Sequence, residues 1–107
     1  AMRGTPLYMA PEDIAGAPAS HGVDLWSLHV MLYESLTGTH PFKRDTTSAT
    51  LRAIVDDVAP PLVVSGAVSP ARATQVAAYF ADALSKHIER RPATAAAASD
   101  ALRAMML

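Results

Sequence analysis

The sequence contains no cysteine among its 107 residues, which excludes disulfides and thiolate metal sites. Aromatic side chains make up only 6% of the chain, and the formal net charge is -1. A chain with so little net charge has no overall field to attract nucleic acid or an anionic membrane. No apolar run is long enough to cross a bilayer, and no signal peptide is visible. We therefore expect a cytoplasmic protein with neither nucleic acid nor membrane as a partner.

Hydrophobic residues, in contrast, make up half of the chain, and 18% of the residues are charged. This balance is typical of a folded protein rather than a disordered one. The length allows one small domain, residues 1–107. Helical periodicity dominates, and no stretch alternates in the manner of a strand. The predicted fold class is all-α.

The most apolar segment, residues 22–37, predicts a helix with apolar side chains on nearly every face. Such a helix is buried on most sides, so we expect it at the centre of the domain. Gly38 supplies a left-handed stop, and Pro41 prevents the helix from continuing. A short helix after Pro11 should precede this central helix.

Three amphipathic helices are expected after the central one. Their N-caps should be Ser48, Ser69 and Thr94, because a hydroxyl can accept a hydrogen bond from the first helical turn. The first of these helices should end at Pro60-Pro61. The expected inward residues are Leu51, Ile54, Val55 and Val58, then Ala73, Val76, Ala77, Phe80, Leu84 and Ile88, and finally Ala95, Ala98, Leu102, Met105 and Met106.

Three short motifs follow one another along the chain. Residues 4–12 read Gly-Thr-Pro-Leu-Tyr-Met-Ala-Pro-Glu, residues 24–28 read Asp-Leu-Trp-Ser-Leu, and residues 86–94 read Lys-His-Ile-Glu-Arg-Arg-Pro-Ala-Thr. In this order they resemble the C-terminal part of the large lobe of a serine/threonine protein kinase, particularly the bacterial type. The resemblance implies about five helices around a buried central helix.

The first motif resembles the end of a kinase activation segment. The resemblance implies that Thr5 sits beside the catalytic aspartate of such a kinase. It also implies that the following four residues shape the pocket for the substrate residue after the phosphoacceptor. These four residues are Pro6, Leu7, Tyr8 and Met9.

Two further roles follow from the resemblance. Glu12 would form a buried ion pair with Arg91 and so tie the activation segment to the lobe. Breaking one such pair typically costs about 3–5 kcal/mol. Asp24 would anchor the catalytic loop by accepting backbone hydrogen bonds. In this chain Asp24 should find a substitute partner, because an isolated buried carboxylate is costly.

The chain departs from the family pattern at two places. His29 stands where the family usually has glycine, so its larger side chain needs extra space. His87-Ile88 replaces the common Asp-Pro and should loosen the turn before the last helix. The spacings of the four histidines, which include His21 and His40, do not match a metal site, so we expect them to be structural or solvent-facing.

The sequence lacks a glycine-rich loop, a phosphate-binding lysine with its helix glutamate, and the His-Arg-Asp and Asp-Phe-Gly motifs. We therefore expect a kinase fragment that supplies the substrate-side loop and a helical scaffold and is not catalytic by itself. No cofactor is expected in this chain, since ATP and magnesium would bind only in an intact parent. The alternative is a stand-alone truncated module, derived from a kinase, that acts in binding or dimerisation.

The expected partners follow from the same interpretation. They are the missing kinase portion, a protein substrate, or a second copy of this chain. The second copy would cover the apolar face of the Trp26 to Leu36 helix, because wide apolar faces seldom stay exposed. Thr46, Thr47 and Ser48 are interpreted as turn and cap residues rather than phosphorylation sites.

Overall fold

The computed structural model describes residues 6–16, 21–63 and 69–106. These ranges contain 3₁₀ turns at Pro6–Tyr8 and Ile88–Arg90 and no strand, so the predicted all-α class is confirmed. None of the helices in these ranges is long and apolar enough to cross a membrane. The helices are α1 (Pro11–Ile14), α2 (His21–Thr37), α3 (Thr47–Asp56), α4 (Pro70–Ala83) and α5 (Ala95–Met106).

Helix α2 supplies the centre of the core, and it begins one residue before the predicted segment. Trp26, Val30 and Tyr33 are buried on one face of this helix. They pack with Phe42, Ile54 and Phe80 among other residues of a single cluster. Gly38 adopts φ +80°, and its N–H donates to the Glu34 carbonyl at 2.8 Å, so the predicted left-handed stop is confirmed.

A second face of α2 is open. Leu28, Met31 and Leu36 are 41%, 45% and 50% exposed. Leu28 lines an apolar groove toward α5, whose walls include Leu32 and Leu102. The expectation that α2 is buried on most sides is therefore wrong for this face within the described residues. Burial depends on which elements pack against a helix, and an apolar pattern alone does not supply them.

Helix α3 begins earlier than predicted. The Thr46 side chain, not Ser48, accepts the capping hydrogen bond, from the Ala49 N–H at 3.0 Å. The helix ends at Asp56, and Asp57 is extended, so the chain leaves the helix well before Pro60. Thr46 and Thr47 also carry hydroxyl groups and precede Ser48, and the Thr46 hydroxyl is the one that accepts the capping hydrogen bond.

The buried face of α3 also differs from the prediction. Thr50, Ala53 and Ile54 are buried, whereas Val55 is 39% exposed and Val58 is 87% exposed. Only Ile54 belongs to both the predicted and the observed buried face. Thr50, Ala53 and Ile54 have i, i+3, i+4 spacing, so they form one face of the helix. Val58 lies beyond the helix end, which removes it from the helical pattern.

The predicted caps of α4 and α5 are confirmed. Ser69 Oγ accepts from the Arg72 N–H at 3.2 Å, and Thr94 Oγ1 accepts from the Ala97 N–H at 3.0 Å.

Helix α4 ends at Ala83, so the predicted inward position of Ile88 is wrong. Ala95 is also exposed. Phe80, Leu84 and Ala98 are buried, while Ala73, Val76, Ala77, Leu102 and Met105 are half-buried.

Candidate functional site: the Pro6–Met9 segment and its anchors

The Pro6–Met9 segment lies against one face of α2. Ser27 Oγ donates to the Tyr8 carbonyl at 2.7 Å, and Tyr8 Oη donates to Glu34 Oε1 at 2.9 Å. Ser27 and Glu34 are seven positions apart, about two helical turns, so both project from the same side of α2. The hydrogen bond to Glu34 raises the pKa of Tyr8. Helix α2 therefore fixes both the backbone and the phenol of Tyr8.

His40, which follows α2, holds the same segment from a second direction. Its Nδ1 accepts from the Phe42 N–H at 3.0 Å, so this nitrogen carries no proton. Nε2 then carries the proton and donates it to the Leu7 carbonyl at 2.6 Å. Burial lowers the pKa of His40, which favours this neutral form. The neutral imidazole thus links the segment to the loop after α2.

The side chains of the segment remain partly accessible. Leu7 and Met9 are half-buried, and Tyr8 is 36% exposed. The next residue, Ala10, is completely buried in the core cluster. The segment is therefore held through the backbone of Leu7 and Tyr8, while its side chains stay partly exposed. Thr5 lies outside the described residues.

The end of this region is anchored by Glu12 and Arg91. Arg91 Nη1 contacts Glu12 Oε2 at 2.8 Å and Oε1 at 3.1 Å, across 79 positions of sequence. Arg91 Nε donates to the Ser85 carbonyl at 2.8 Å. The two side chains are 6% and 14% exposed, so the ion pair lies largely out of water. The structure thus brings together the two residues that the sequence predicts to meet.

The geometry of this pair differs from a forked guanidinium–carboxylate contact. Nη1 alone contacts both oxygens of Glu12, while Arg91 Nη2 is buried and has no hydrogen-bond partner among the described residues. The guanidinium carbon lies 4.7 Å from the centroid of the Trp26 ring. A cation over an indole face is attracted by the ring, so Trp26 positions Arg91 from below.

Phe42 and Lys86 also pack around Trp26, and no sequence pattern predicts a role for either of them. The rings of Trp26 and Phe42 stack at 5.7 Å with an interplanar angle of 12°. Lys86 Nζ lies 4.0 Å from the Phe42 centroid and 5.5 Å from the Trp26 centroid. Burial lowers the pKa of Lys86 to about 8. These contacts join distant parts of the chain, which explains why local sequence patterns do not reveal them.

His29 is accommodated by a partner 50 positions away. Its Nδ1 lies 2.7 Å from the Leu25 carbonyl, and its Nε2 lies 2.6 Å from Tyr79 Oη. Because a carbonyl only accepts, Nδ1 carries the proton, and Nε2 accepts from the tyrosine. The side chain is 1% exposed, and burial lowers its pKa. The extra space that His29 requires is therefore provided within the α2–α4 interface.

Asp24 is exposed at the start of α2. The expectation that it is buried and needs a substitute partner is therefore wrong, because water can solvate its carboxylate. Its role as an anchor for a catalytic loop stays a prediction. The described residues contain no group of three or more histidine, aspartate or glutamate side chains able to hold a metal ion.

The family model of the protein kinase domain matches residues 1–106. The chain belongs to the protein kinase domain family. Its pairing of Glu12 with Arg91 beside Trp26 thus lies within a kinase domain sequence.

Curated relatives of this kinase-domain chain are serine/threonine kinases by name. The chain is 50% identical over 56 residues to "Serine/threonine-protein kinase TIO" of Arabidopsis thaliana, covering 52% of this chain and 4% of the relative. It is 51% identical over 67 residues to "Serine/threonine-protein kinase WAG1" of the same plant, covering 61% and 14%. It is 43% identical over 53 residues to "cAMP-dependent protein kinase, catalytic subunit-like" of Caenorhabditis elegans, covering 50% and 13%. The matches thus span at most 14% of these three relatives.

Proposed function

We propose that this chain supplies the substrate-side loop and helical scaffold of a serine/threonine protein kinase large lobe, of the bacterial type, and is not catalytic by itself. The observation that carries the proposal is the attachment of Pro6–Met9 to α2. Ser27, Glu34 and His40 each make a hydrogen bond to this segment. The bacterial type rests on the motif of residues 4–12.

This attachment suits recognition of an extended peptide. Hydrogen bonds from α2 and from His40 fix the backbone of Leu7 and Tyr8 before any peptide arrives. A surface that is already ordered loses less conformational entropy on binding. Leu7 and Met9, which are half-buried, then offer apolar contact to the substrate residue after the phosphoacceptor. Thr5 would stand beside a catalytic aspartate supplied by the rest of the kinase domain.

The Glu12–Arg91 ion pair also holds the Pro6–Met9 segment in place, at its C-terminal end. It fixes the chain two residues after buried Ala10, so the segment is held at its C-terminal end as well as at Leu7 and Tyr8. A charge pair that is largely out of water resists separation, because each partner left alone would remain unpaired and desolvated. The pair is therefore a positioning element and takes no part in phosphoryl transfer.

The proposed partners are the rest of a kinase domain and a protein substrate, in the cytoplasm. ATP and magnesium would supply the phosphoryl group and the metal-borne charge stabilisation in a complete domain. Within the described residues no group of three or more histidine, aspartate or glutamate side chains could hold a metal ion, and the proposal assigns none of them to magnesium. Asp24, exposed at the start of α2, would accept hydrogen bonds from the catalytic loop.

Nuclear magnetic resonance on the isotopically labelled chain tests this proposal. A pool of extended serine- and threonine-containing peptides should shift the backbone amide signals of Leu7, Tyr8 and Met9. Leu7→Ser should weaken that response, whereas Leu102→Ser, in the groove beside α5, should leave it unchanged. ATP with magnesium should produce no shift. Peptide responses confined to α5, or tight magnesium-dependent ATP binding, would contradict the proposal.

A further inference from the structure

The chain contains only two lysines, Lys43 and Lys86, and their surroundings differ. Lys43 is exposed in the loop between α2 and α3. Lys86 is half-buried, with its Nζ over the ring of Phe42 at 4.0 Å from the centroid. The two side chains therefore provide an internal comparison between an exposed amine and one removed from water.

The ammonium form of Lys86 is poorly solvated. It has three protons to donate, and its hydrogen bond within the described residues is a 3.5 Å contact with the Ala53 carbonyl. That carbonyl already accepts the Asp57 N–H at 2.9 Å. Asp57 and Asp56 at the end of α3 favour the charged form, but burial and the nearby charge of Arg91 outweigh them, and the pKa is lowered to about 8. About one amine in ten is then neutral at pH 7, against about one in several thousand for an ordinary lysine.

Lys86 also lines a cavity of about 330 Å³. This volume is in the range of small-molecule sites. The cavity lies between the end of α4 and the chain that follows α3, and Val58, Leu84, His87 and Arg90 are among its lining residues. A small electrophile can therefore reach the surroundings of a lysine that lacks full hydration.

We propose that Lys86 is an acylation site for a small acyl phosphate that enters this cavity. In the reaction the neutral Nζ attacks the acyl carbon, and a new C–N bond forms. The bond between the acyl carbon and the phosphate oxygen breaks, and phosphate leaves with the electron pair. The amine proton passes to the phosphate or to water, so no oxidant, reductant or further reactant is needed.

Arg90 favours an acyl phosphate over an uncharged acyl donor. It lines the same cavity and is exposed, so its guanidinium is accessible to an anion from solution. A guanidinium binds phosphate oxygens through charge-assisted hydrogen bonds. Arg90 therefore acts as the binding residue and Lys86 as the nucleophile.

Acylation would alter the cluster beneath the Glu12–Arg91 pair. The amide product carries no charge, so the attraction between Lys86 and the rings of Phe42 and Trp26 is lost. Trp26 also lies under the Arg91 guanidinium. The modification thus acts on the scaffold that positions the Pro6–Met9 segment, although the proposed chemistry does not depend on a kinase function.

Acetyl phosphate at pH 7.5, with site-resolved mass spectrometry, provides the test. Lys86 should be acetylated about fivefold or more faster than Lys43 in the folded chain, and the two rates should become similar in concentrated urea. Equal or slower acetylation of Lys86 in the folded chain would overturn the proposal.

The variant Arg90→Ala tests the binding of the acyl phosphate separately from the reactivity of the Lys86 amine. Arg90 is exposed, so its replacement should preserve the fold, which circular dichroism checks. The variant should reduce the Lys86 rate with acetyl phosphate about threefold or more. With the uncharged reagent N-acetoxysuccinimide the Lys86 rate should be unchanged. An unchanged rate with both reagents would overturn the assignment of an acyl phosphate.

Discussion

Two faces of the same helix, α2, have opposite surroundings. One face carries Trp26, which is 1% exposed and contacts Phe42, Arg91 and Lys86. The other carries Leu28 and neighbouring apolar residues that are roughly half exposed. Both faces carry large apolar side chains, so apolar character alone does not separate them. The contacts made by residues distant in sequence decide which face is part of a core.

Replacing one side chain on each face should give the largest contrast. Trp26→Ala should lower the free energy of unfolding by about 3–5 kcal/mol, because it removes a buried ring and leaves a cavity. Met31→Ala, on the open face, should change it by less than about 1 kcal/mol. Urea unfolding followed by circular dichroism measures both. Comparable losses in the two variants would mean that the open face is covered in solution.

The ion pair should give the next largest effect. Arg91→Ala leaves Glu12 largely desolvated without its partner, so we expect a loss of about 3 kcal/mol in the free energy of unfolding. Arg90→Ala is the matched control, since it removes an exposed arginine at the adjacent position and should change stability by less than about 0.5 kcal/mol. Equal effects would show that the contact with Glu12 contributes little.

Acid should lower the free energy of unfolding through two histidines, His29 in α2 and His40 in the loop after it. Burial lowers the pKa of both His29 and His40, so the unfolded chain binds more protons than the folded one below about pH 6.5. Their contribution to stability is therefore complete above this pH and is lost progressively as the pH falls toward their folded values. Urea midpoints at pH 8, 7, 6 and 5 should follow this course.

Variants assign this pH dependence to the buried imidazoles. His29→Gln should reduce the slope of stability against pH between 5 and 6.5. The exposed His87, replaced by Gln, should leave the slope unchanged. If the slope of stability against pH is the same in the unsubstituted chain and in His29→Gln, the assignment is wrong.

The anchoring of the Pro6–Met9 segment should have a smaller effect. Ser27→Ala removes the donor to the Tyr8 carbonyl, which should lower the free energy of unfolding by about 1 kcal/mol. Hydrogen exchange should increase at Leu7 to Met9 and remain unchanged in α5. Ser99→Ala, an exposed serine of α5, is the control. Unchanged exchange in the segment would show that Ser27 does not hold it.

The open face of α2 should matter least to the folded monomer and most to its association. The sequence predicts that a second copy covers this face, because apolar patches of this kind favour contact with another surface. Light scattering should give twice the mass of one chain, and Leu36→Ser should return it to the mass of one chain with little change in stability. If the unsubstituted chain is a compact monomer at high concentration, this prediction is wrong.

Several structural features were predictable because they depend on neighbouring residues. The Ser69 and Thr94 caps and the left-handed Gly38 all follow from local backbone requirements. The prediction that Glu12 contacts Arg91 had a different basis, the resemblance of short motifs to a kinase lobe. Local pattern by itself gives no reason to join residues 79 positions apart.

Other features were not predictable because they depend on three-dimensional neighbours. Tyr79 as the partner of His29 and the position of Lys86 over Phe42 involve residues from separate helices and loops. The buried face of α3 was predicted from the largest apolar side chains. It was formed instead around Thr50, Ala53 and Ile54, since the short side chain of Ala53 permits close packing.

The sequence by itself determined the all-α class, the ends of α2, the caps of α4 and α5, and the motifs of a kinase domain. The helix ends and caps depend only on hydrogen bonds and backbone conformation within a few residues, and the motifs are read directly from the order of the residues. Only the tertiary structure decided that Asp24 is exposed, that α2 has one buried and one open face, and that Lys86 lies beside a cavity. Burial is a property of the assembled chain, because it depends on which distant residues exclude water from each side chain.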